Sequence, residues 1–153
     1  MNSLAERVGE IVDRHAGMEG SALPILHAIQ EAFGYVPSEA VPIVAKALNR
    51  TRAEIHGVVT FYHDFRSTPA GRHVVRVCKA EACKSMGSHR IVEAFETALG
   101  QKIGTTSEDG EVTLEPVYCL GLCATAPNAM IDGRPAGRLD AAAVGKLVTE
   151  TLR

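Results

Sequence analysis

No stretch of this chain approaches the ~18 apolar residues a membrane helix requires. The longest candidate, Ala40 to Leu48, is short and interrupted by Lys46. The start, Met1-Asn2-Ser3-Leu4-Ala5-Glu6-Arg7, lacks the basic region and apolar run of a secretory signal. Charge of one sign is also lacking. The formal net charge is −2, with Lys and Arg scattered, so the basic footprint of a nucleic-acid binder is missing. The six histidines, His15, His27, His56, His63, His73 and His89, form no H-x-x-x-H or similar ligand pair. There is no phosphate-cradling glycine loop, no G-x-S-x-G and no dinucleotide fingerprint. The expectation is therefore a chain with no catalytic residues and no nicotinamide site of its own. Cysteine is scarce, at four residues. Without an export signal the expected compartment is the reducing cytoplasm, which argues against structural disulfides and for metal-binding or catalytic thiols.

What is present, 46% hydrophobic residues in a chain of 153, supports one ordinary domain or two small ones. Residues 1–68 read as helices. Ser3 and Glu6 fit a capping box, with Leu4, Val8, Ile11 and Val12 at helical spacing behind them. After a break at Gly17 to Gly20, Ser21 reads as the cap of a second helix, with Pro24 in its first turn. Its stripe is Leu23, Leu26, Ile29 and Phe33, and Gly34 is its stop. Ser38 reads as the cap of a third, with Pro42 near its start and Val41, Val44, Ala45 and Leu48 inside. Thr51 and Glu54 repeat the capping box for a short helix through Ile55, Val58 and Val59. Phe61, Tyr62 and Phe65 hold three of the seven aromatics (four Phe, three Tyr). They read as a wedge against the next domain, and the stripes as core packing. Ser67 to Gly71 is a turn-rich linker, placing the boundary between a helical domain, 1–68, and a second domain, 72–153.

Beyond the linker the apolar period becomes two. His73 to Val77 reads as a strand with Cys78 at its end. The Cys78–Cys83 segment reads as a loop. Ser85, Gly87 or Ser88 opens a helix with Ile91, Ala94, Phe95 and Leu99 inside and Gly100 as its stop. Lys102 to Thr105 is a weak strand, Asp109-Gly110 a hairpin turn, and Val112 to Glu115 a strand running toward Cys119. The loop Cys119 to Pro127 precedes a short strand at Ala129 to Ile131 and a turn at Asp132-Gly133. Asp140 caps a last helix, Ala141 to Leu152, with Val144, Leu147 and Val148 inside. The order β-α-β-β-β-α is a small open sheet with helices, compatible with a thioredoxin-like layer plan.

The four cysteines form two pairs, Cys78-x4-Cys83 and Cys119-x3-Cys123, with residues 84–118 between them. Both pairs sit on loops that follow strands. Structural zinc sites space thiols as C-x2–4-C, which the second pair fits and the first only loosely. Plant-type ferredoxins share the C-x4-C half but not the rest. Neither pair is the C-x-x-C of thioredoxin-type redox enzymes. Ligand type ranks an iron–sulfur site above zinc, with disulfides and thiol chemistry behind. Lys79 and Lys84 flank the first pair. Gly121 leaves room for backbone amides to approach sulfur. His89 reads as a helix-surface residue and Pro127 as a turn former.

The cysteine pattern follows His56-Gly57-Val58-Val59-Thr60-Phe61-Tyr62 and precedes Ala126-Pro127, Asn128-Ala129-Met130 and Asp132-Gly133. Together these resemble the small [2Fe–2S] subunit of complex I and its relatives in NAD-linked dehydrogenases and hydrogenases. The resemblance covers nearly the whole chain. It implies an α+β chain, a helical bundle followed by a thioredoxin-like ferredoxin domain. It also implies that Cys78, Cys83, Cys119 and Cys123 ligate the cluster. Complex I subunits tend to carry G-T-x-C at the first pair. This chain has Ala80-Glu81-Ala82-Cys83, then Lys84-Ser85-Met86-Gly87, which looks like the gamma subunit of cytosolic NAD-dependent formate dehydrogenase. Implied partners are a flavoprotein that carries FMN and binds NAD, and a larger molybdenum and iron–sulfur catalytic subunit. The helical N-terminal part, with its aromatic segment, would form much of the contact with the partner. All-thiolate ligation without histidine implies a low potential.

Overall fold

The computed structural model describes residues 3–151. The chain divides between Pro69 and Ala70 into two compact units, each with its own core.

The first unit comprises α1 (Leu4–Arg14), α2 (Ala22–Phe33), α3 (Ala40–Ala47) and α4 (Arg52–Phe61). Two of these helices open on the capping boxes the sequence carries. Glu6 N–H donates to Ser3 Oγ at 3.2 Å while Ser3 N–H donates to the Glu6 carboxylate at 2.7 Å. Thr51 and Glu54 make the same reciprocal pair at α4. Ser21 and Ser38, in contrast, do not act as side-chain caps. A cap hydroxyl reaches the first-turn amides only from extended backbone, as at Ser3 (ψ 159°) and Thr51 (ψ 154°). Ser21 is already helical at ψ −5°, and Ser38 lies one residue early, donating to the carboxylate of Glu39, which holds the N-cap position. The core gathers Val8, Ile11, Leu26, Ile29, Val44 and Ile55, with Ile25 added to the expected stripe. Phe65 is buried in this core, its ring 4.8 Å from that of His27. Phe61 remains 74% exposed.

The second unit is a five-stranded sheet in the order β2-β3-β1-β4-β5. The strands are β1 (His73–Cys78), β2 (Thr105–Thr106), β3 (Val112–Val117), β4 (Ala129–Ile131) and β5 (Arg134–Ala136). β1 and β3 run parallel, and every other pairing is antiparallel. Helices α5 (Glu81–Ser85), α6 (Ser88–Leu99) and α7 (Ala141–Thr151) complete it. Val75, Val77 and Leu114 of the sheet, Ile91 and Phe95 of α6, and Val144 of α7 share one core. This is the expected thioredoxin-like α+β plan, with three local corrections. Cys83 lies on the short helix α5 rather than in a loop. The weak strand shrinks to Thr105–Thr106. An extra edge strand forms at Arg134–Ala136, whose Pro135 is tolerated because an edge position need not donate on both sides. Asp140 does cap α7, accepting Ala143 N–H at 2.8 Å. The expected end of that helix at Leu152 lies outside the described residues.

Candidate metal centre

Parallel pairing explains how residues far apart in the chain meet. In a parallel pair both strands end at the same edge of the sheet. The register sets Cys78 beside Val117, so Cys78 and Cys119 leave the sheet side by side. β4 is antiparallel to β1, with Ala129 opposite Val77, so Pro127 and Asn128 enter at that same edge. Lys79 N–H donates to Val117 O at 2.8 Å and Cys78 N–H to Asn128 O at 3.1 Å, closing the junction. All four predicted cysteines are brought to this end, each as a free thiol.

They remain two pairs. Among the described residues, no three His, Cys, Asp or Glu side chains gather closely enough to hold one metal ion. Cys119 Sγ and Cys123 Sγ lie 3.8 Å apart. A disulfide would require about 2.05 Å. Two sulfurs each ~2.3 Å from one tetrahedral metal would be ~3.8 Å apart, so the pair is spaced as one edge of a metal tetrahedron.

Burial pushes the Cys78 thiol up. Hydrogen bonds from the Ala80 amide, the Cys83 thiol and the Cys119 and Leu120 amides outweigh it and leave it below the usual thiol value. Cys83 is raised, by burial first and then by donating to Cys78, against a hydrogen bond from the Asn128 backbone. Cys123 is raised by donating to Cys119, and the negative charge of Cys78 adds to the shift. The two pairs therefore feel each other's charge. The amides around Cys78 favour its deprotonated form, the form in which a thiol binds metal.

The second loop holds an unfavourable backbone. Cys119 has φ +86°, a region non-glycine residues avoid, and Gly121 follows at φ +75°. This turn lets Gly121 N–H donate to Cys119 Sγ at 3.3 Å. Strain of this kind collects where a side chain must be aimed. A 3₁₀ turn, Cys123–Thr125, ends the loop. Lys79 and Lys84 are exposed and line, with Glu81, Ser88, His89 and Tyr118, an open recess of about 500 Å³ beside the first pair. Sequence reasoning gives Asn128 no role, yet it is 1% exposed and bonded to both cysteine segments. In the sequence it stands only as one residue of the Asn128-Ala129-Met130 run that the family resemblance includes, with no role attached.

The second unit is thus a small α+β fold on a thioredoxin-like plan with two pairs of free thiols at one end of its sheet. Residues 8–152 match the thioredoxin-like [2Fe–2S] ferredoxin family, and the chain belongs to it. It is 32% identical over 147 residues to the NADP-reducing hydrogenase subunit HndA of Solidesulfovibrio fructosivorans, covering 96% of this chain and 86% of that one. It is 36% identical over 128 residues to an NADH-quinone oxidoreductase subunit of Pseudomonas aeruginosa, covering 84% and 77%. Among solved structures it resembles an air-oxidized NAD+-reducing [NiFe]-hydrogenase, with a TM-score of 0.71 and 27% identity over 85% of this chain. It spans only 22% of that hydrogenase chain. Among the described residues no helix is long and apolar enough to cross a membrane.

Proposed function

We propose that this chain carries one [2Fe–2S] cluster on Cys78, Cys83, Cys119 and Cys123 and serves as the electron-transfer subunit of a cytoplasmic NAD-dependent formate dehydrogenase. The observation that carries the reading is the meeting of two thiol pairs at one sheet end in a chain of this family. The donor set fits the group. A two-iron core with all-cysteine ligation takes two thiolates on each iron, and the thiols stand in pairs, the second with the 3.8 Å spacing such sharing requires.

When bound, the cluster supplies one-electron chemistry. The chain's own residues grip and tune it. Cys78 and Cys83 hold it from the buried side, and Cys119 and Cys123 close it from the loop. Amides of Ala80, Leu120 and Gly121 aim at sulfur and favour its negative charge. FMN and NAD belong on a flavoprotein partner, and formate chemistry on a larger molybdenum and iron–sulfur subunit. The formate branch rests on Ala80-Glu81-Ala82-Cys83-Lys84-Ser85-Met86-Gly87, the segment that forms α5 and its exit. A second reading, a subunit of a hydrogenase or of an NADH-quinone oxidoreductase, is favoured by the relatives found.

The test is anaerobic purification from the native host with partners attached. Two irons and two sulfides per chain, with an S = 1/2 signal on reduction, support the cluster. That signal appearing with formate supports the formate branch. Its appearance with hydrogen, or with NADH and not formate, moves the chain to the second reading. One zinc per chain with no signal overturns both.

A further inference from the structure

We infer that Asn128 is a positioning residue that locks the two cysteine pairs to one another and thereby sets the lifetime and electronic environment of the centre. This rests on the cluster reading above. Asn128 bonds both cysteine segments. Its carbonyl accepts the Cys78 amide at 3.1 Å, and its Nδ2 donates to Leu122 O at 2.9 Å. Leu122 is the residue before Cys123, so the side chain reaches from the strand edge into the exposed loop.

The orientation of the side-chain amide follows from its partner. A carbonyl only accepts, so the nitrogen must face Leu122. That leaves Oδ1 buried without a partner among the described residues. Buried unsatisfied oxygens are uncommon in folded proteins and call for a reason. An apolar side chain of similar size would avoid this cost, but could not tether the loop. Leu122 O also accepts from Thr125 N–H at 2.9 Å and Thr125 Oγ1 at 3.0 Å. Those bonds lie within one turn and hold the turn's shape. The Asn128 bond fixes that turn relative to Cys78 and Cys83.

The experiment compares the full chain with Asn128→Asp and Asn128→Ala, using Thr125→Val as a control that removes a hydroxyl from the same carbonyl. Asn128→Asp keeps the shape but turns an oxygen toward Leu122 O. Loss of one buried hydrogen bond predicts about tenfold faster chelator-driven iron loss in both Asn128 variants, with little change in Thr125→Val. The reduced EPR line shape and midpoint potential should shift in the Asn128 variants and stay put in the control. In metal-free protein, hydrogen exchange across residues 119–126 should quicken by about the same factor. If Asn128→Ala fails to fold, the isosteric Asn128→Asp carries the test. Wild-type iron lifetime, line shape and loop exchange in Asn128→Asp would overturn the proposal, as would equal effects in Thr125→Val. If the wild-type chain holds no iron, the cluster reading fails, while the exchange arm still decides whether Asn128 pins the loop.

Discussion

The two cysteine pairs reach the same place by opposite means. Cys78 and Cys83 are 2% and 0% exposed, one at the end of a central strand and one inside a short helix. Cys119 and Cys123 are exposed, on a loop with one left-handed cysteine and one left-handed glycine. The first pair is part of the folded unit and its position comes with the sheet. The second has little packing to place it and depends on a few directed hydrogen bonds. The difference is a division of labour. The buried half is placed by the sheet, and the exposed half by the hydrogen bonds of its own loop.

The largest effect should come from breaking the buried half. Cys83→Ser should lose the cluster and also destabilise the metal-free chain by about 1–3 kcal/mol, since a hydroxyl replaces a thiol in a closed apolar setting. Cys123→Ser should lose the cluster as well, yet leave metal-free stability within about 0.5 kcal/mol, as exposed substitutions usually do. Iron content and urea unfolding of the two stripped variants make the comparison. Equal stability losses would show that the pairs do not differ in the way their burial implies.

Next in size is a change that touches neither pair. A Cβ at Gly137 would lie 2.6 Å from Thr125 Oγ1 and 2.7 Å from Thr125 Cβ. Arg138 N–H also donates to Thr125 O at 2.7 Å, so the two segments are pinned together. Gly137→Ala should push the turn that carries Cys123, costing about 1–3 kcal/mol as overpacking does. Thermal unfolding would read the cost. Gly145→Ala, where nothing lies within 4 Å of the added carbon, is the control.

A change of opposite sign should follow at Cys119. Its φ of +86° costs a non-glycine residue about 1 kcal/mol. In metal-free protein Cys119→Gly should therefore match or exceed wild-type stability, while Cys119→Ser keeps the strain. A Cys119→Gly chain less stable than Cys119→Ser would mean that the thiol's contacts matter more than the backbone.

How much of this is legible in the sequence varies with how local its cause is. The two capping boxes, Gly34 and Gly100 as helix stops, and the Asp140 cap all follow from short-range chemistry and are present. Ser21 and Ser38 carry the same residue type without the same backbone, and composition alone cannot separate those cases. The helix around Cys83 reads as loop because five residues are too few to show a period. The convergence of the thiols depends on β1–β3 register, a tertiary fact that no local pattern encodes. The pairs themselves are visible by spacing. The residue that ties them, Asn128, is not, because its role exists only once the strand edge and the loop have met.

The smallest effect lies at the other end of β1, where the sheet is fastened by charge instead of sulfur. His73 Nδ1 and Asp132 Oδ2 are 2.7 Å apart, and Val74 N–H donates to Asp132 Oδ1 at 2.8 Å. Burial pushes the Asp132 carboxyl up, but the bonds from His73 and Val74 outweigh it and hold its pKa below the usual value. A folded pKa below the unfolded one stabilises at pH above the unfolded value, near ~3.9, and the benefit fades as pH falls through the folded value. Asp132→Asn keeps an acceptor for Val74 and tolerates the left-handed backbone at φ +48°, so it removes the charge alone. With both side chains partly exposed, the loss should stay below about 1 kcal/mol. The gap between wild type and variant in urea midpoint should be present at about pH 5 and shrink below about pH 4. A gap that persists unchanged at about pH 3 would assign the fastening to the neutral hydrogen bonds.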